Sequence, residues 1–213
     1  MNISYDYITE YITDTLPESS GLLKEMEEYA KEHHVPIIQK EAMWLLRTLA
    51  ALKKPEKILE IGTAIGYSSL IFSEYLKEGG KIITVELDED TAHIAEENFK
   101  KANNSSIKLI IGDGEDVLIN SDEKFDIIFL DANKSLYMRC MPDVKRLLNK
   151  GGLLIADNVL YKGMVANDGL ETRRKRTIVN NLRTFLKNLA HDEDFTTSII
   201  PIGDGMAVCA YNK

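Results

Sequence analysis

Cysteine is scarce in this chain: Cys140 and Cys209 are the only two among 213 residues. Two cysteines make no disulfide framework, and both sit among apolar residues, so buried free thiols and a reducing, cytoplasmic setting are expected. No run of about 18 apolar residues occurs, which leaves no candidate membrane span. The opening Met1-Asn2-Ile3-Ser4-Tyr5-Asp6 has neither the basic nor the apolar stretch of a signal peptide. Positive charge is in deficit: 26 Lys and Arg face 34 Asp and Glu, a formal charge of −8. Charge-driven attachment to nucleic acid over the whole surface is thereby excluded, but a local basic patch is not. One such patch stands at Arg173-Arg174-Lys175-Arg176.

What is present reads as one domain. The 44% hydrophobic and 28% charged fractions are ordinary globular values, and a chain this long buries a core without a metal or disulfide staple. Residues 1–55 read as a helical cap. Tyr7, Ile8, Tyr11 and Ile12 recur at helical spacing. Leu22, Leu23, Met26, Tyr29 and Ala30 share one face of a second helix, and a third runs from Gln39 to Leu52. Residues 56–213 alternate short apolar runs with amphipathic ones. Strands are expected at 57–61, 81–85, 107–111, 125–130 and 152–156, and helices at 68–76, 89–101 and 136–148, with a helical turn near 115–118. This alternation implies a parallel sheet covered on both faces. A long helix is expected over 172–189. Two last strands, 195–200 and 206–211, are joined too tightly for a crossover and must be antiparallel. The fold expected is α/β: a doubly wound, mostly parallel, seven-stranded sheet with one reversed strand near the C-terminus.

The first strand runs into Glu60-Ile61-Gly62-Thr63-Ala64-Ile65-Gly66-Tyr67-Ser68 and then a helix. Glycines there let the backbone turn tightly and let a ligand approach it, at the strand ends where such sheets bind ligands. The second strand ends in Glu86, placed to accept hydrogen bonds from ribose hydroxyls. Two phosphate-binding signatures are missing. Ala64 and Tyr67 replace the second and third glycines of the dinucleotide fingerprint, and no Walker loop occurs. An adenosyl ligand without phosphates fits better, and S-adenosylmethionine is such a ligand. Further on, one strand ends in Asp131-Ala132-Asn133-Lys134 and the next in Asp157-Asn158. Two carboxylates and an amide oxygen at neighbouring strand ends make a hard oxygen site suited to Mg²⁺, Mn²⁺ or Ca²⁺. The same aspartates would also serve as caps of the turns that follow.

Taken together, Glu60 to Ser68, Asp131 to Lys134 and Asp157-Asn158 resemble the metal-dependent class I O-methyltransferases of the catechol and caffeoyl-CoA type. The resemblance runs over nearly the whole chain. It implies cofactor contacts from Ile37, Ile38, Glu60, Gly62, Gly66, Ser68, Glu86, Asp113, Gly114, Glu115 and Asp131, although Glu115 stands where the family usually has a small or neutral residue. It implies a metal held by Asp131, Asp157 and Asn158, and Lys134 as acceptor of the proton of the attacking hydroxyl, with Asp131 beside it in the reaction. A homodimer is a further expectation.

The segment Val159 to Ala166, the basic run Arg173 to Arg176 and the tail Ile199 to Ala207 resemble the branch of this family that methylates hydroxylated uridine at the wobble position of transfer RNA. In 5-hydroxyuridine the C5 hydroxyl adjoins the C4 carbonyl oxygen, so the pair imitates a catechol. An anticodon-loop base is unpaired and can enter a pocket, with Lys162, Arg173, Arg174, Lys175 and Arg176 against the phosphates and Tyr161 or Tyr137 against a base. The basic run is read as the first turn of the 172–189 helix, where positive charge is unfavourable, a mild sign of a phosphate partner. The alternative substrate is a small catechol-like molecule.

Overall fold

The computed structural model describes residues 3–213. Three helices come first: α1 (Asp6–Thr15), α2 (Gly21–His33) and α3 (Lys40–Lys53). The alternating part follows as β1 (Lys57–Ile61), α4 (Tyr67–Ser73), β2 (Lys81–Glu86), α5 (Glu89–Lys101), β3 (Ile107–Ile111), α6 (Gly114–Asn120) and β4 (Phe125–Leu130). Then come α7 (Leu136–Arg139), α8 (Met141–Leu147), β5 (Leu148–Ala156), α9 (Arg176–Ala190), β6 (Phe195–Ile200) and β7 (Met206–Tyr211).

The strands form one sheet in the order β3-β2-β1-β4-β5-β7-β6. Every pairing from β3 across to β5 is parallel, and β7 runs antiparallel to both β5 and β6. The mostly parallel sheet with one reversed strand is therefore present. Ile58, Leu59, Ile127, Ile128, Phe129 and Leu130 have no or almost no exposed surface, because central parallel strands are covered on both sides and need apolar residues facing both ways. One apolar cluster joins α2, α3, α4 and α5 to the sheet, and the other joins α6, α7, α8 and α9. Val179, Leu182, Phe185, Leu186 and Leu189 form the buried stripe of α9, and each such side chain contributes about 1.5–3 kcal/mol on burial. α3 buries Ala42, Met43, Leu46 and Ala50 and belongs to a core layer, whereas α1 buries nothing.

The helix expected over 68–76 ends at Ser73, and three further elements differ from the sequence expectation. The helix expected over 136–148 is two, broken at Cys140, because Pro142 opens α8 and cannot donate the amide a continuous helix requires. β5 begins four residues early, at Leu148, and its register against β4 slips between Phe125 and Ile127 around Gly151, whose φ is 70°. α9 begins at Arg176, so Arg173, Arg174 and Lys175 form a turn ahead of it and not its first turn. Lys175, at the N-cap position, makes no capping hydrogen bond, and basic side chains oppose the positive end of a helix.

The topology fixes where a ligand sits. Chain order reverses between β1 and β4, and the carboxyl ends of β1, β2, β4 and β5 open on the same edge. Among the described residues no helix is long and apolar enough to cross a membrane. Cys140 and Cys209 are both buried and free, and burial pushes each thiol up to about 12.

Candidate active site

A cavity of about 950 Å³ lies at that edge. Ile37, Ile38, Gly62, Glu86, Asp113, Gly114, Asp131, Lys134, Asp157, Asn158 and Lys162 all line it. Glu60, Gly66, Ser68, Glu115 and the four residues Arg173 to Arg176 do not.

The glycine loop shows why some motif residues stand behind the cavity. Gly62 has φ of 103°, and a Cβ there would lie 2.2 Å from the carbonyl oxygen of Asp131. The close approach of the β1 and β4 ends therefore demands glycine. Gly66 has φ of 86°, and its Cβ would meet the Phe99 ring at 2.5 Å, so this second glycine seats the loop on α5. Glu60 has 0% exposure. It accepts hydrogen bonds from the hydroxyls of Ser68 (2.5 Å), Thr84 (2.6 Å) and Ser69. Burial pushes its carboxyl up to about 7, against the pull of these three donors. Glu60 and Ser68 thus brace the loop from inside.

Glu86, half-buried at the end of β2, ties the same loop to α5. Its carboxylate accepts from the backbone N–H groups of Ala64 (2.8 Å), Leu87 (2.9 Å) and Asp88 (3.0 Å). A carboxylate has about four acceptor positions, so one stays open toward the cavity. Leu87, 71% exposed, offers an apolar wall beside it. Asp113 caps α6 by accepting from Glu115 N–H (2.8 Å). The Glu115 carboxylate turns to Arg139 (2.6 Å), and it is Arg139, not Glu115, that lines the cavity.

At the other end Asp131, Lys134, Asp157 and Asn158 converge. The amide of Asp157 donates to Leu130 O (3.0 Å), and its carboxylate accepts from Asn158 N–H (2.6 Å). Burial, and then the negative charge of Asp131, hold the Asp157 carboxyl well above the usual carboxylate range. Lys134 Nζ lies 3.3 Å from Asp131 Oδ1 and 2.8 Å from Tyr137 Oη, with the side chain 11% exposed. Among the described residues no three His, Cys, Asp or Glu side chains gather around a metal position. The candidate donor set is two carboxylates and one amide. These residues fit a hard divalent cation: the donors are all oxygen, and positive charge would relieve the buried Asp157 carboxyl, which burial and the neighbouring Asp131 push up.

The far rim is built differently. Asn158, Tyr161 and Lys162 all have left-handed φ values, 53°, 46° and 57°. Lys162 N–H donates to the Asp204 carboxylate, and Leu160 N–H and Val159 N–H donate to Asp204 O (3.0 Å) and Gly205 O (2.9 Å). Tyr161 lines the cavity, and Lys175 Nζ lies 5.6 Å from its ring centroid. Arg173, Arg174 and Lys175 are exposed on the turn beyond, while Arg176 pairs with Glu171 at 2.7 Å. Tyr137 is fully buried, so of the two tyrosines only Tyr161 is open to a ligand. Sequence reading missed Leu87, Arg139 and Asp204. Leu87 adjoins Glu86 and was findable, but the other two depend on pairings 24 and 42 residues distant.

A doubly wound sheet with a glycine-loop cavity, an acid at the end of β2 and a cluster of oxygen donors and a lysine at the ends of β4 and β5 is an architecture that can seat a nucleoside beside a reactive polar cluster. The chain belongs to the O-methyltransferase family, whose model matches residues 13–212, and is by family an S-adenosylmethionine-dependent enzyme. It is similar to the catechol O-methyltransferase of Niastella koreensis, with 31% identity over 78% of this chain and 79% of that one. It is similar also to the caffeoyl-CoA O-methyltransferase of Stellaria longipes, with 27% identity over 96% of this chain and 90% of that one. Among solved structures, the O-methyltransferase from Bacillus cereus in complex with SAH superposes with a TM-score of 0.84, at 26% identity and 97% coverage of each chain.

Proposed function

We propose that this enzyme transfers the methyl group of S-adenosylmethionine to a hydroxyl that adjoins a second oxygen, and that its substrate is 5-hydroxyuridine at the wobble position of transfer RNA. Glu86 takes a ribose hydroxyl on its open acceptor position. Leu87 and Gly114 flank the adenine, with Arg139, held by Glu115, at its edge. Ile37 and Ile38 close over the cofactor from the segment before α3.

Asp131, Asp157 and Asn158 would hold a divalent cation, Mg²⁺ first among the hard ions. When bound it lowers the pKa of a neighbouring hydroxyl and neutralises the oxyanion. Lys134 lies on the same wall, where it receives the hydroxyl proton. The oxygen forms its bond to the methyl carbon as the carbon–sulfur bond breaks, and the sulfur leaves with the bonding pair as S-adenosylhomocysteine. Most of the acceleration comes from holding oxygen, methyl and sulfur in line.

The observation that carries the RNA reading is the rim. Tyr161 and Lys162 stand on the cavity wall, and the exposed Arg173-Arg174-Lys175 turn continues from them through the Lys175–Tyr161 contact. A base that enters the cavity would meet an aromatic face, with its phosphates running out along cations. The catechol and caffeoyl-CoA relatives support the alternative, a small catechol-like substrate.

The test is methyl transfer from labelled S-adenosylmethionine with Mg²⁺ to three acceptors: tRNA carrying 5-hydroxyuridine, the same tRNA without it, and a simple catechol. Label in the first alone is expected. Label in the catechol alone moves the function to small-molecule O-methylation, with cofactor and metal sites unchanged.

A further inference from the structure

Tyr137 has no part in the chemistry so far, yet it is the best-anchored polar side chain beside the reacting atoms. It opens no path to substrate, being fully buried on α7 with its ring 5.5 Å from that of Phe185. Its hydroxyl lies 2.7 Å from Leu130 O and 3.0 Å from Asp157 O, the last carbonyl of β4 and the one just past β5. Both partners are backbone acceptors, so the single phenolic proton belongs to them. Toward Lys134 Nζ, at 2.8 Å, the phenolic oxygen can act only as an acceptor.

The consequence falls on Lys134. Its flexible stem carries about 2 kcal/mol of rotamer entropy when free. Here the nitrogen is fixed from two sides, by Tyr137 Oη and by Asp131 Oδ1 at 3.3 Å, with the tyrosine ring 4.9 Å away. Two of the tetrahedral directions of Nζ are thereby taken, and the side chain lies on the cavity wall. A remaining direction faces the ligand space. We propose that Tyr137 is the positioning residue of this enzyme. It ties the Lys134 nitrogen to the carboxyl ends of β4 and β5, so that the lysine meets the substrate hydroxyl at a fixed place. A displacement of about 1 Å in such a group costs on the order of 100-fold in rate. This inference rests on the reading of Lys134 as proton acceptor.

A double-mutant cycle separates the two. Wild type, Tyr137→Phe, Lys134→Ala and the double variant are compared on tRNA carrying 5-hydroxyuridine and on catechol, with calorimetric binding of S-adenosylhomocysteine alongside. Tyr137→Phe is expected to lower kcat about 10- to 100-fold, with KM and S-adenosylhomocysteine affinity within about twofold of wild type. In the Lys134→Ala background the same change is expected to cost less than about twofold, because residues that act through one another are not additive. An equal loss in both backgrounds, or a loss matched by weakened S-adenosylhomocysteine binding, overturns the proposal and leaves Lys134 in place. Wild-type turnover by Lys134→Ala overturns the reading of the lysine and the proposal with it. Should Tyr137→Phe fail to fold, the enzyme is labelled with 3-fluorotyrosine. Lys134→Ala is then expected to shift one buried fluorine resonance, and an unchanged spectrum overturns the proposal.

Discussion

The two ends of the cavity are built on opposite principles. At the cofactor end every motif residue is braced from behind: Glu60 gathers three hydroxyls, Glu86 gathers three backbone amides, and Gly62 and Gly66 sit where a Cβ would strike another part of the fold. At the substrate rim Asn158, Tyr161 and Lys162 adopt left-handed backbone without glycine, and the basic turn beyond them is open to solvent. One end is shaped by burial and hydrogen bonding. The other gathers three left-handed non-glycine residues and exposed charge, as ligand-facing segments do, whereas the glycine loop holds one, Ala64 at φ 46°. Changes at the first end should register in stability and cofactor affinity, and side-chain changes at the second chiefly in substrate, with stability moved there only where the left-handed backbone is relieved.

The largest expected effect falls where the two ends meet. Asp157→Ala should lower transfer at least about 100-fold, since it removes one of the two carboxylates of the proposed cation site. Binding of S-adenosylhomocysteine should stay within about tenfold. Activity near wild type that is indifferent to a chelator would sink the metal assignment.

Glu60→Gln tests the brace. The carboxyl titrates near 7 when folded and near 4.5 when free. A raised acid favours the folded state below its unfolded pKa, and that advantage fades as pH climbs through 4.5 to about 7. Above this, folding carries the full cost of burying the charge. Glutamine escapes that cost. The difference in Tm, variant minus wild type, should therefore be more positive at pH 8 than at pH 5, by about 2 kcal/mol or several degrees. Equal differences at the two pH values would remove the buried charge from the account.

The distinction is legible in the sequence only in part. The strands at 57–61, 107–111 and 125–130 are legible because each is a short, mostly apolar run that alternates with amphipathic stretches, even at the edge strand 107–111, where no residue is fully buried. The loop, Glu86, Asp131, Lys134 and Asp157-Asn158 were readable because ligand sites of this topology fall at strand ends. Position relative to the cavity was not readable. Glu60, Gly66 and Ser68 belong to the motif by spacing, yet the pleat and the turn of the loop face them inward. The helix break at Cys140 is signalled by Pro142 but masked by apolar periodicity that continues through it, and the start of α9 at Arg176 has no capping side chain to mark it. Tyr137, Arg139 and Asp204 depend on partners brought near by the fold.

Two smaller effects sharpen the view of the rim. Arg173→Ala with Arg174→Ala should raise KM for tRNA about fivefold to tenfold, flatten its salt dependence and leave a small catechol untouched. Identical tRNA kinetics would take this turn out of the interface. Lys162→Gly should move two properties in opposite directions. Glycine relieves the left-handed backbone, for a gain of about 1 kcal/mol or a few degrees in Tm. Loss of the cation should weaken tRNA binding a few-fold. A fall in Tm would mean that the side chain, and not the backbone, holds this loop.

The place of β7 in the sheet has a consequence for how the protein comes off the ribosome. β6 is synthesised before β7, but β7 is its sole neighbour in the sheet, and β7 also covers the outer edge of β5. Until residues 206–211 emerge, β5 carries a bare edge and β6 has nothing to pair with. The turn just before β7 holds Asp204, which fastens Leu160 and Lys162, and Gly205, which fastens Val159. The nascent chain can therefore assemble the cofactor half of its cavity well before the substrate rim exists, and the rim closes as β7 is zipped between its two neighbours.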